Sequence, residues 1–277
     1  MARYQLLYDK VCQLEGLELV VPAPVAIDDL LRVHQADYVR RALDGRLDKM
    51  ELRRLGFPWS PQLVQRSLCS VGATVEAAFW AWEHKGVAVN LAGGTHHAFA
   101  DRGEGFCLFN DCVVAARSWQ EQVGRVGQVV FIDCDVHQGN GTASLCDGDA
   151  SLFTLSLHGR NNYPFHKETS DLDLELPDGC QDDEYLQRLQ EGLAQLPKAD
   201  LAFYLAGADP YEKDRLGRLK LTREGLRRRD RMVLDRCRQA GTPVVVTMAG
   251  GYAEPIDDTA EIQAATVAEA LRSYSSR

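Results

Sequence analysis

Short apolar runs alternate along the chain with longer segments whose apolar residues recur at helical spacing. The apolar runs predict buried strands, and they lie at residues 87–91, 128–133, 152–157, 201–206 and 243–249. The helical spacing predicts helices at residues 4–14, 27–43, 61–85, 182–196, 222–240 and 257–273, with a further helix starting at residue 110. Strands that alternate with helices predict an α/β fold in three layers, with helices on both faces of a central, mostly parallel sheet.

Two other segments also have strand-like patterns. Leu17–Val21 is a short apolar run, and the alternation of Asp171–Leu176 is typical of a half-exposed strand with a solvated acidic face. Residues 45–60 are expected to form a short loop at the entrance to a site. No internal repeat, low-complexity tract or linker interrupts the pattern, so we expect residues 1–277 to form a single domain.

Composition narrows the class of protein. The chain has 277 residues, of which 45% are hydrophobic and 26% charged, and no apolar run approaches the roughly 18 residues of a membrane-spanning helix. The first residues lack an apolar signal core, so we expect a cytoplasmic protein without a membrane partner. A net charge of -9 argues against a surface that binds the phosphates of nucleic acids. The 8 cysteines form no CxxC pair, which favours reduced thiols over disulfides or a zinc knuckle.

Polar residues with metal-binding or catalytic chemistry follow four of the predicted strands. His96 and His97 follow one strand, Asp133 to His137 the next, and Asp209 and Tyr252 the last two. Because the carboxyl ends of parallel strands meet at one edge of a sheet, we expect these side chains to converge on a single crevice.

Three of these residues have the chemistry of an open metal site. Asp135 and His137 are two positions apart, so in an extended chain they project to the same side, and Asp209 adds a second carboxylate. Two carboxylates and one imidazole leave room for water and substrate on a divalent ion. Ligand type alone leaves Zn²⁺, Fe²⁺ and Co²⁺ open.

The neighbouring polar residues suit acid and base chemistry. The adjacent His96 and His97 follow a Gly-Gly turn, and imidazoles titrate near neutral pH. Tyr252 follows Gly250 and Gly251, so its hydroxyl is a candidate donor to a developing oxyanion, with the glycines allowing close approach of the backbone to a substrate.

Taken together, these motifs resemble the histone deacetylase superfamily, which has the arginase-like fold and includes bacterial acetoin-utilization-type and acetylpolyamine deacetylases. The motifs occur in the family's order, and the Gln-Gly-Asn-Gly sequence after His137 is most similar to the class IV branch. They are Gly93–His97, Gly105–Asp111, Asp133–Gly141, Gly207–Asp209, Asp214–Gly217 and Gly250–Tyr252.

The resemblance implies a single deacetylase-like catalytic domain that hydrolyses acetyl-lysine-type amides through metal-activated water. It implies that Asp135, His137 and Asp209 bind zinc, and that His97 is the general base. It also implies that His96 is an electrostatic partner held by Asp133, that Asn140 orients His97, and that Tyr252 polarises the amide carbonyl. Because an amide carries no charge, we expect His97 to be less basic than a histidine paired with a carboxylate.

The resemblance further assigns residues to a narrow substrate tunnel and to a second ion. Phe106, preceded by Gly105, and Tyr163 are similar to the aromatic tunnel walls, and Leu216 to its lining. Asp133, Ser156 and Leu157 are similar to the family's inner potassium site. Members of the family usually have an additional strand before the segment that starts at Arg3, and we expect this strand to be absent here, with Arg3 a candidate for the family's arginine.

Other functions share parts of this pattern. Ureohydrolases of the arginase type share the fold but need further paired aspartates for two manganese ions, and here Pro210 follows Asp209. A non-catalytic acyl-lysine binder is a second alternative, against which His96, His97 and Tyr252 argue. For an enzyme, the candidate substrates are acylated lysines in peptides or proteins, acetylpolyamines and small acetylated amines. The oligomeric state stays open, and we expect an entrance open enough for peptides.

Overall fold

The computed structural model describes residues 2–124 and 127–274. Within them six strands form one sheet in the order β1-β6-β5-β2-β3-β4, and every pair of neighbours is parallel. The strands are β1 (Val87–Asn90), β2 (Val129–Asp133), β3 (Leu152–Gly159), β4 (Leu172–Leu176), β5 (Leu201–Leu205) and β6 (Val244–Thr247). The predicted three-layer α/β fold is therefore confirmed.

Ten helices are present in the described part of the chain. They are α1 (Ala2–Val11), α2 (Ile27–Leu31), α3 (Ala36–Leu43), α4 (Lys49–Leu55), α5 (Pro61–His84), α6 (Asp111–Gln122), α7 (Asn140–Cys146), α8 (Asp182–Leu193), α9 (Arg223–Ala240) and α10 (Ile256–Tyr274). Across the described residues, no helix combines the length and apolar character needed to cross a bilayer.

Successive residues of the central strands face opposite helical layers, as the pleat of a strand requires. In β2, Val130 and Ile132 pack with residues of α1, α8, α9 and α10. Val129 and Phe131 point the other way and pack with α5 and α6. Both sets are fully or almost fully buried, which explains why this strand reads as a continuous apolar run rather than an alternating one.

Side-chain caps fix where several helices begin. Ser60 accepts a hydrogen bond from the backbone N–H of Leu63, with Pro61 at the first helical position of α5. Asn110 caps α6 by accepting from Val113 N–H. Asp48 and Glu51 form a capping box at the start of α4.

The structure corrects three predictions about local structure. Leu17–Val21 is not a strand, because it pairs with no strand and leaves Val21 94% exposed. The predicted helix at 27–43 is two helices, α2 and α3. The loop predicted at 45–60 contains α4, whose capping box is visible in the sequence. The strand predicted at Asp171–Leu176 is confirmed as β4, at the edge of the sheet.

The break between α2 and α3 is stabilised by His34. This buried imidazole contacts the Phe99 carbonyl oxygen through Nδ1 at 2.9 Å, and its Nε2 accepts from the backbone N–H of Asn110 at 3.0 Å. The ring must therefore be neutral with its proton on Nδ1. Burial lowers the pKa of His34 to about 4, from 6.5.

His34 is expected to make stability depend on acid. Its folded pKa lies below its unfolded value, so its contribution is complete above about pH 6.5 and declines as the pH falls toward 4, by up to roughly 3 kcal/mol. Urea unfolding of the wild type and of His34→Gln, whose amide offers one donor and one acceptor, measures this at a series of pH values. The variant should lose less stability between pH 6.5 and 4, and identical losses would contradict the assignment.

Candidate active site

The polar residues that follow the strands meet at the carboxyl edge of the sheet. Asp133 is the last residue of β2, and Asp135 and His137 follow it directly. Asp209 lies after β5 and Gly250 after β6. The side chains of Asp135, His137 and Asp209 lie close enough that one ligand atom from each falls within 4.8 Å of the others. The convergence predicted from the sequence therefore occurs.

The Asp135, His137 and Asp209 side chains form a buried cluster with an unsatisfied oxygen. His137 Nδ1 lies 2.9 Å from Asp135 Oδ1 and 3.3 Å from Asp209 Oδ2. Asp209 Oδ1 accepts from the Val136 N–H, but Asp209 Oδ2 is buried and has no hydrogen-bond partner of good geometry among the described residues. An orphaned carboxylate oxygen is costly unless a cation satisfies it, so the donor set fits a divalent metal ion.

The charges of this cluster are strongly coupled. Burial, together with the charge of Asp135, raises the pKa of Asp209 to about 7. Burial opposes ionisation of Asp135 as well, but His96 and His137 outweigh it and hold the pKa of Asp135 well below its usual range. Burial disfavours a charged His137, yet the two carboxylates raise its pKa to about 10. The carboxylates therefore attract positive charge strongly at this point.

Gly250 allows the backbone to approach both carboxylates. Its N–H donates to Asp135 Oδ2 at 2.7 Å. A Cβ atom at Gly250 would lie 2.0 Å from Asp209 Oδ2 and 2.6 Å from Asp135 Oδ2. Any other residue at this position would push the two carboxylates apart, so the glycine is required for the geometry of the cluster.

His96 and His97 lie beside the cluster and contact each other. His96 Nδ1 is 2.6 Å from Asp133 Oδ2, and the Nε2 atoms of the two histidines are 3.1 Å apart. Burial lowers the pKa of His96, but Asp133 and Asp135 outweigh it and raise it to about 9. One oxygen of the Asp133 carboxylate is therefore directed at His96, and the Asp133 side chain lies outside the cluster of Asp135, His137 and Asp209.

His97 is held on its other side by Asn140. His97 Nδ1 lies 2.6 Å from Asn140 Oδ1. Burial, followed by the charges of His96 and His137, lowers the pKa of His97 well below its ordinary value, while the hydrogen bond with Asn140 opposes this shift. The main cause of the low pKa of His97 is therefore burial, and the effect of an amide in place of a carboxylate at Asn140 stays a prediction.

Asn140 also contacts a residue that the sequence did not single out. Its Nδ2 donates to Glu104 Oε1 at 3.2 Å, and the hydroxyl of Tyr163 donates to the same oxygen. The Tyr163 ring stands edge-on to His97, with 5.0 Å between centroids. No spacing rule marks Glu104, because it belongs to an irregular loop.

Asp111 organises the loop that carries the two histidines. Its carboxylate accepts from the N–H groups of Gly94 and Thr95, and from the hydroxyls of Thr95 and Thr74. The sequence pattern predicts a helix that starts near Asp111. It also places Asp111 in the Gly105–Asp111 motif, but it does not reveal which groups the carboxylate contacts.

The residues predicted as tunnel walls lie on partly exposed loops near the histidine pair. Phe106 and Tyr252 have ring centroids 6.2 Å apart, and both are about two-fifths exposed. Leu216 is similarly exposed, in a loop organised by Asp214, which accepts from Leu216 N–H and Tyr252 N–H. Burial raises the pKa of Tyr252, so the hydroxyl is protonated and able to donate at neutral pH.

The structure also shows where the residues of the predicted potassium site and Arg3 lie. Asp133 and Ser156 are paired in register on neighbouring strands, next to the buried Leu157, and potassium binding there stays a prediction. Arg3 donates to the Gly251 carbonyl at 2.8 Å, and its guanidinium lies 5.6 Å from the Tyr252 ring centroid. Arg3 therefore supports the loop that carries Tyr252.

A buried arginine connects the two loops that carry the carboxylates to α9. Arg229 Nη1 donates to the Gly207 carbonyl at 2.5 Å and lies 3.4 Å from the Cys134 carbonyl oxygen. Its Nε and Nη2 donate to Asp230 Oδ1, which also accepts from the Tyr204 hydroxyl. Both charges are almost completely buried, so the pair is compensated by these contacts.

The fold and the site define a three-layer α/β protein with a candidate metal centre beside a histidine pair. Comparison with known proteins identifies the family: residues 1–270 match the histone deacetylase domain, and the chain belongs to that family.

Individual relatives agree with this assignment. The chain is 48% identical to an uncharacterized protein of Picosynechococcus sp., covering 82% of this chain and 76% of the relative. It is 32% identical to histone deacetylase 2 of Arabidopsis thaliana, covering 86% of this chain and 64% of that protein. A crystal structure of an HDAC homolog complexed with SAHA matches with a TM-score of 0.81 at 22% identity, covering 97% of this chain and 77% of the other. The protein is thus a hydrolase of the deacetylase and amidohydrolase type, acting on acetylated amides.

We expect Gly250→Ala to weaken metal binding by about 10- to 100-fold while the protein stays folded, because the added methyl displaces both carboxylates. Titration of the metal-free protein with Co²⁺, followed by absorbance, measures the affinity. Gly86→Ala is a matched control, since its Cβ would meet only ordinary contacts of 3.4 Å or more. Equal affinities of the two variants would contradict the inferred role of Gly250.

Proposed function

We propose that this protein is a zinc-dependent deacylase that hydrolyses the amide of an acylated lysine and releases the free amine and a carboxylic acid. One observation carries the proposal. A pair of histidines in contact lies beside a buried cluster of two aspartates and one histidine that has an unsatisfied carboxylate oxygen. Such a set suits hydrolysis, because a metal site adjoins a proton-transfer group.

Asp135, His137 and Asp209 would hold the metal ion. When bound, a zinc ion supplies Lewis acidity and lowers the pKa of a coordinated water to about 7. Two carboxylates and one imidazole also suit Fe²⁺, so the choice of zinc rests on the family resemblance.

His97 is proposed to move the proton. Its Nδ1 is engaged with Asn140 Oδ1, so its Nε2 is the nitrogen available as a base. The low pKa of His97 leaves this nitrogen unprotonated before the reaction, as a general base requires. After bond cleavage the same nitrogen would return the proton to the departing amine.

His96 and Tyr252 are proposed to stabilise charge. His96 is held by Asp133 at 2.6 Å, and its raised pKa keeps a positive charge near the reacting groups. Tyr252, on the loop next to Gly250, would donate its hydroxyl to the carbonyl oxygen as negative charge develops there.

The mouth of the site supports a chain-like substrate. Phe106, Tyr163, Leu216 and Tyr252 present apolar surface around it, and Phe165, which packs edge-on against Tyr163, is 81% exposed. An aliphatic lysine stem would pass such walls, and the exposed Phe165 would contact residues beside the lysine. We therefore favour acylated lysine in peptides or proteins over free acetylated amines.

The proposal also covers the domain organisation, a potassium ion and the cellular location. Residues 1–277 would form one catalytic domain. Potassium would bind near Asp133, Ser156 and Leu157. A cytoplasmic location is supported by the 8 cysteines, all of which are free thiols.

Turnover of the zinc-loaded protein on acyl-lysine peptides tests the chemistry. We expect chelation to abolish it, His97→Ala to lower kcat by about 100- to 10,000-fold, and Tyr252→Phe by about 100- to 1,000-fold. Released acid is measured for acetyl and longer acyl chains. Tyr8→Phe, on the exposed face of α1, is the matched control and should keep full activity.

Acetylpolyamines form the second arm of the experiment. Efficient turnover of polyamines with little turnover of peptides would contradict the proposed substrate class but keep the chemistry. Zinc binding without any turnover, together with tight binding of acyl-lysine peptides, would favour the non-catalytic binder.

A further inference from the structure

The Glu104 carboxylate contacts the side chain of Asn140, which in turn contacts His97. Glu104 is largely buried, with 14% of its side chain exposed. Its Oε1 accepts from Asn140 Nδ2 at 3.2 Å and from the Tyr163 hydroxyl, while its Oε2 lies 3.4 Å from Arg102 Nε. None of the proposed catalytic steps involves Glu104.

The chemistry of this contact fixes which way the Asn140 amide points. An ionised carboxylate only accepts hydrogen bonds, so the atom of Asn140 that faces Glu104 must be the donor, Nδ2. The amide oxygen then faces His97 Nδ1, at 2.6 Å. An acceptor at this distance requires that His97 Nδ1 carries a hydrogen.

The position of that hydrogen decides whether His97 is able to act as a base. A neutral imidazole has one N–H and one free nitrogen. With the hydrogen on Nδ1, the nitrogen without a hydrogen is Nε2, which lies 3.1 Å from His96 Nε2. If the amide were reversed, its Nδ2 would face His97 Nδ1, and the hydrogen would move to Nε2. Nε2 would then be unable to accept a proton, and it would no longer accept a hydrogen bond from His96.

We propose that Glu104 is a positioning residue that selects the productive tautomer of His97 by fixing the orientation of the Asn140 amide. The inference rests on the proposed function for its kinetic consequence only, because the tautomer of His97 is measurable without turnover. Tyr163 shares the same Glu104 oxygen, so the network also fixes the Tyr163 ring beside His97.

The loop around Glu104 is built to hold it in place. The backbones of Glu104 and Cys107 exchange two hydrogen bonds, at 3.0 and 2.8 Å. Phe106 N–H donates to the Leu55 carbonyl at the end of α4. The loop is therefore held by its own backbone hydrogen bonds, so replacement of the Glu104 side chain should leave the backbone of the loop intact.

Three variants separate the roles of the Glu104 oxygen, its charge and the Tyr163 contact. Glu104→Ala removes the acceptor, so the Asn140 amide is free to reverse. Glu104→Gln keeps an acceptor oxygen for Asn140 and Tyr163, and it loses the charge and the contact with Arg102. Tyr163→Phe removes only the hydroxyl that shares the Glu104 oxygen.

The tautomer is measured first, by two-dimensional ¹H–¹⁵N spectra of the imidazole nitrogens in the zinc-loaded, ¹⁵N-histidine-labelled protein. The His97 signals are assigned by their loss in His97→Ala. We expect the Nδ1–H form in the wild type, in Glu104→Gln and in Tyr163→Phe, and a large share of the Nε2–H form in Glu104→Ala. An unchanged Nδ1–H form in Glu104→Ala overturns the proposal, whatever the turnover.

Kinetics form the second measurement. Glu104→Ala should lower kcat by about 10- to 100-fold. Its KM should match that of Tyr163→Phe, because both variants lose the hydrogen bond between Tyr163 and Glu104. Glu104→Gln should restore kcat to within about fivefold of the wild type. If Tyr163→Phe shifts the His97 tautomer as much as Glu104→Ala does, the effect runs through Tyr163 and the proposed route through Asn140 is overturned.

A pair of substitutions tests the contact between Asn140 and Glu104. Asn140→Asp places a second carboxylate against Glu104, where the two groups are now 3.2 Å apart, and repulsion should lower kcat. Adding Glu104→Gln should raise kcat above that of Asn140→Asp alone, because the introduced amide donates to the introduced carboxylate. Equal activity with and without Glu104→Gln overturns the pairing. Absence of turnover in every protein, with the expected tautomers in the spectra, rejects the deacylase function and leaves the inference about Glu104 standing.

Discussion

Burial of three carboxylates at one edge of the sheet is the constraint on which this site depends. Asp133, Asp135 and Asp209 are each at most 4% exposed, and buried carboxylates need compensation by charge or hydrogen bonds. His96 compensates Asp133 and contributes to the compensation of Asp135. Backbone N–H groups donate to several of the remaining oxygens, whereas Asp209 Oδ2 has no hydrogen-bond partner among the described residues. The arrangement of these side chains therefore compensates most of the negative charge that the fold buries at this edge of the sheet.

The loops around the site are shaped by the same need for hydrogen-bonded carboxylates. Asp111 collects the N–H groups of the loop before His96, and Asp214 collects those of the loops that carry Leu216 and Tyr252. Each of these aspartates lies outside the cluster of Asp135, His137 and Asp209, yet each fixes a segment that carries a candidate catalytic or lining side chain. Irregular backbone beside the sheet is thus held by side chains in place of strand pairing.

The sequence was informative where one physical signal dominates. Buried parallel strands are continuous apolar runs, and their carboxyl ends meet, so the fold and the convergence of the Asp135 cluster with His96 followed from pattern alone. The break in the helix predicted at 27–43 depends on two distant partners of His34, which periodicity does not reveal. Similarly, Glu104 reaches Asn140 and Tyr163 through a tertiary contact across 36 and 59 positions, and no local spacing encodes such pairs.

Arg229 has a consequence for how the metal site is formed. A guanidinium is planar and rigid, and here one of its nitrogens spans the carbonyls of Gly207 and Cys134, which precede Asp209 and Asp135 closely in the chain. The separation of the two carboxylates is thereby set by the seating of α9 on the sheet, before any ion arrives. A cation that bound there would meet carboxylates already held in place, and the protein would avoid the entropy loss of ordering loops around the ion.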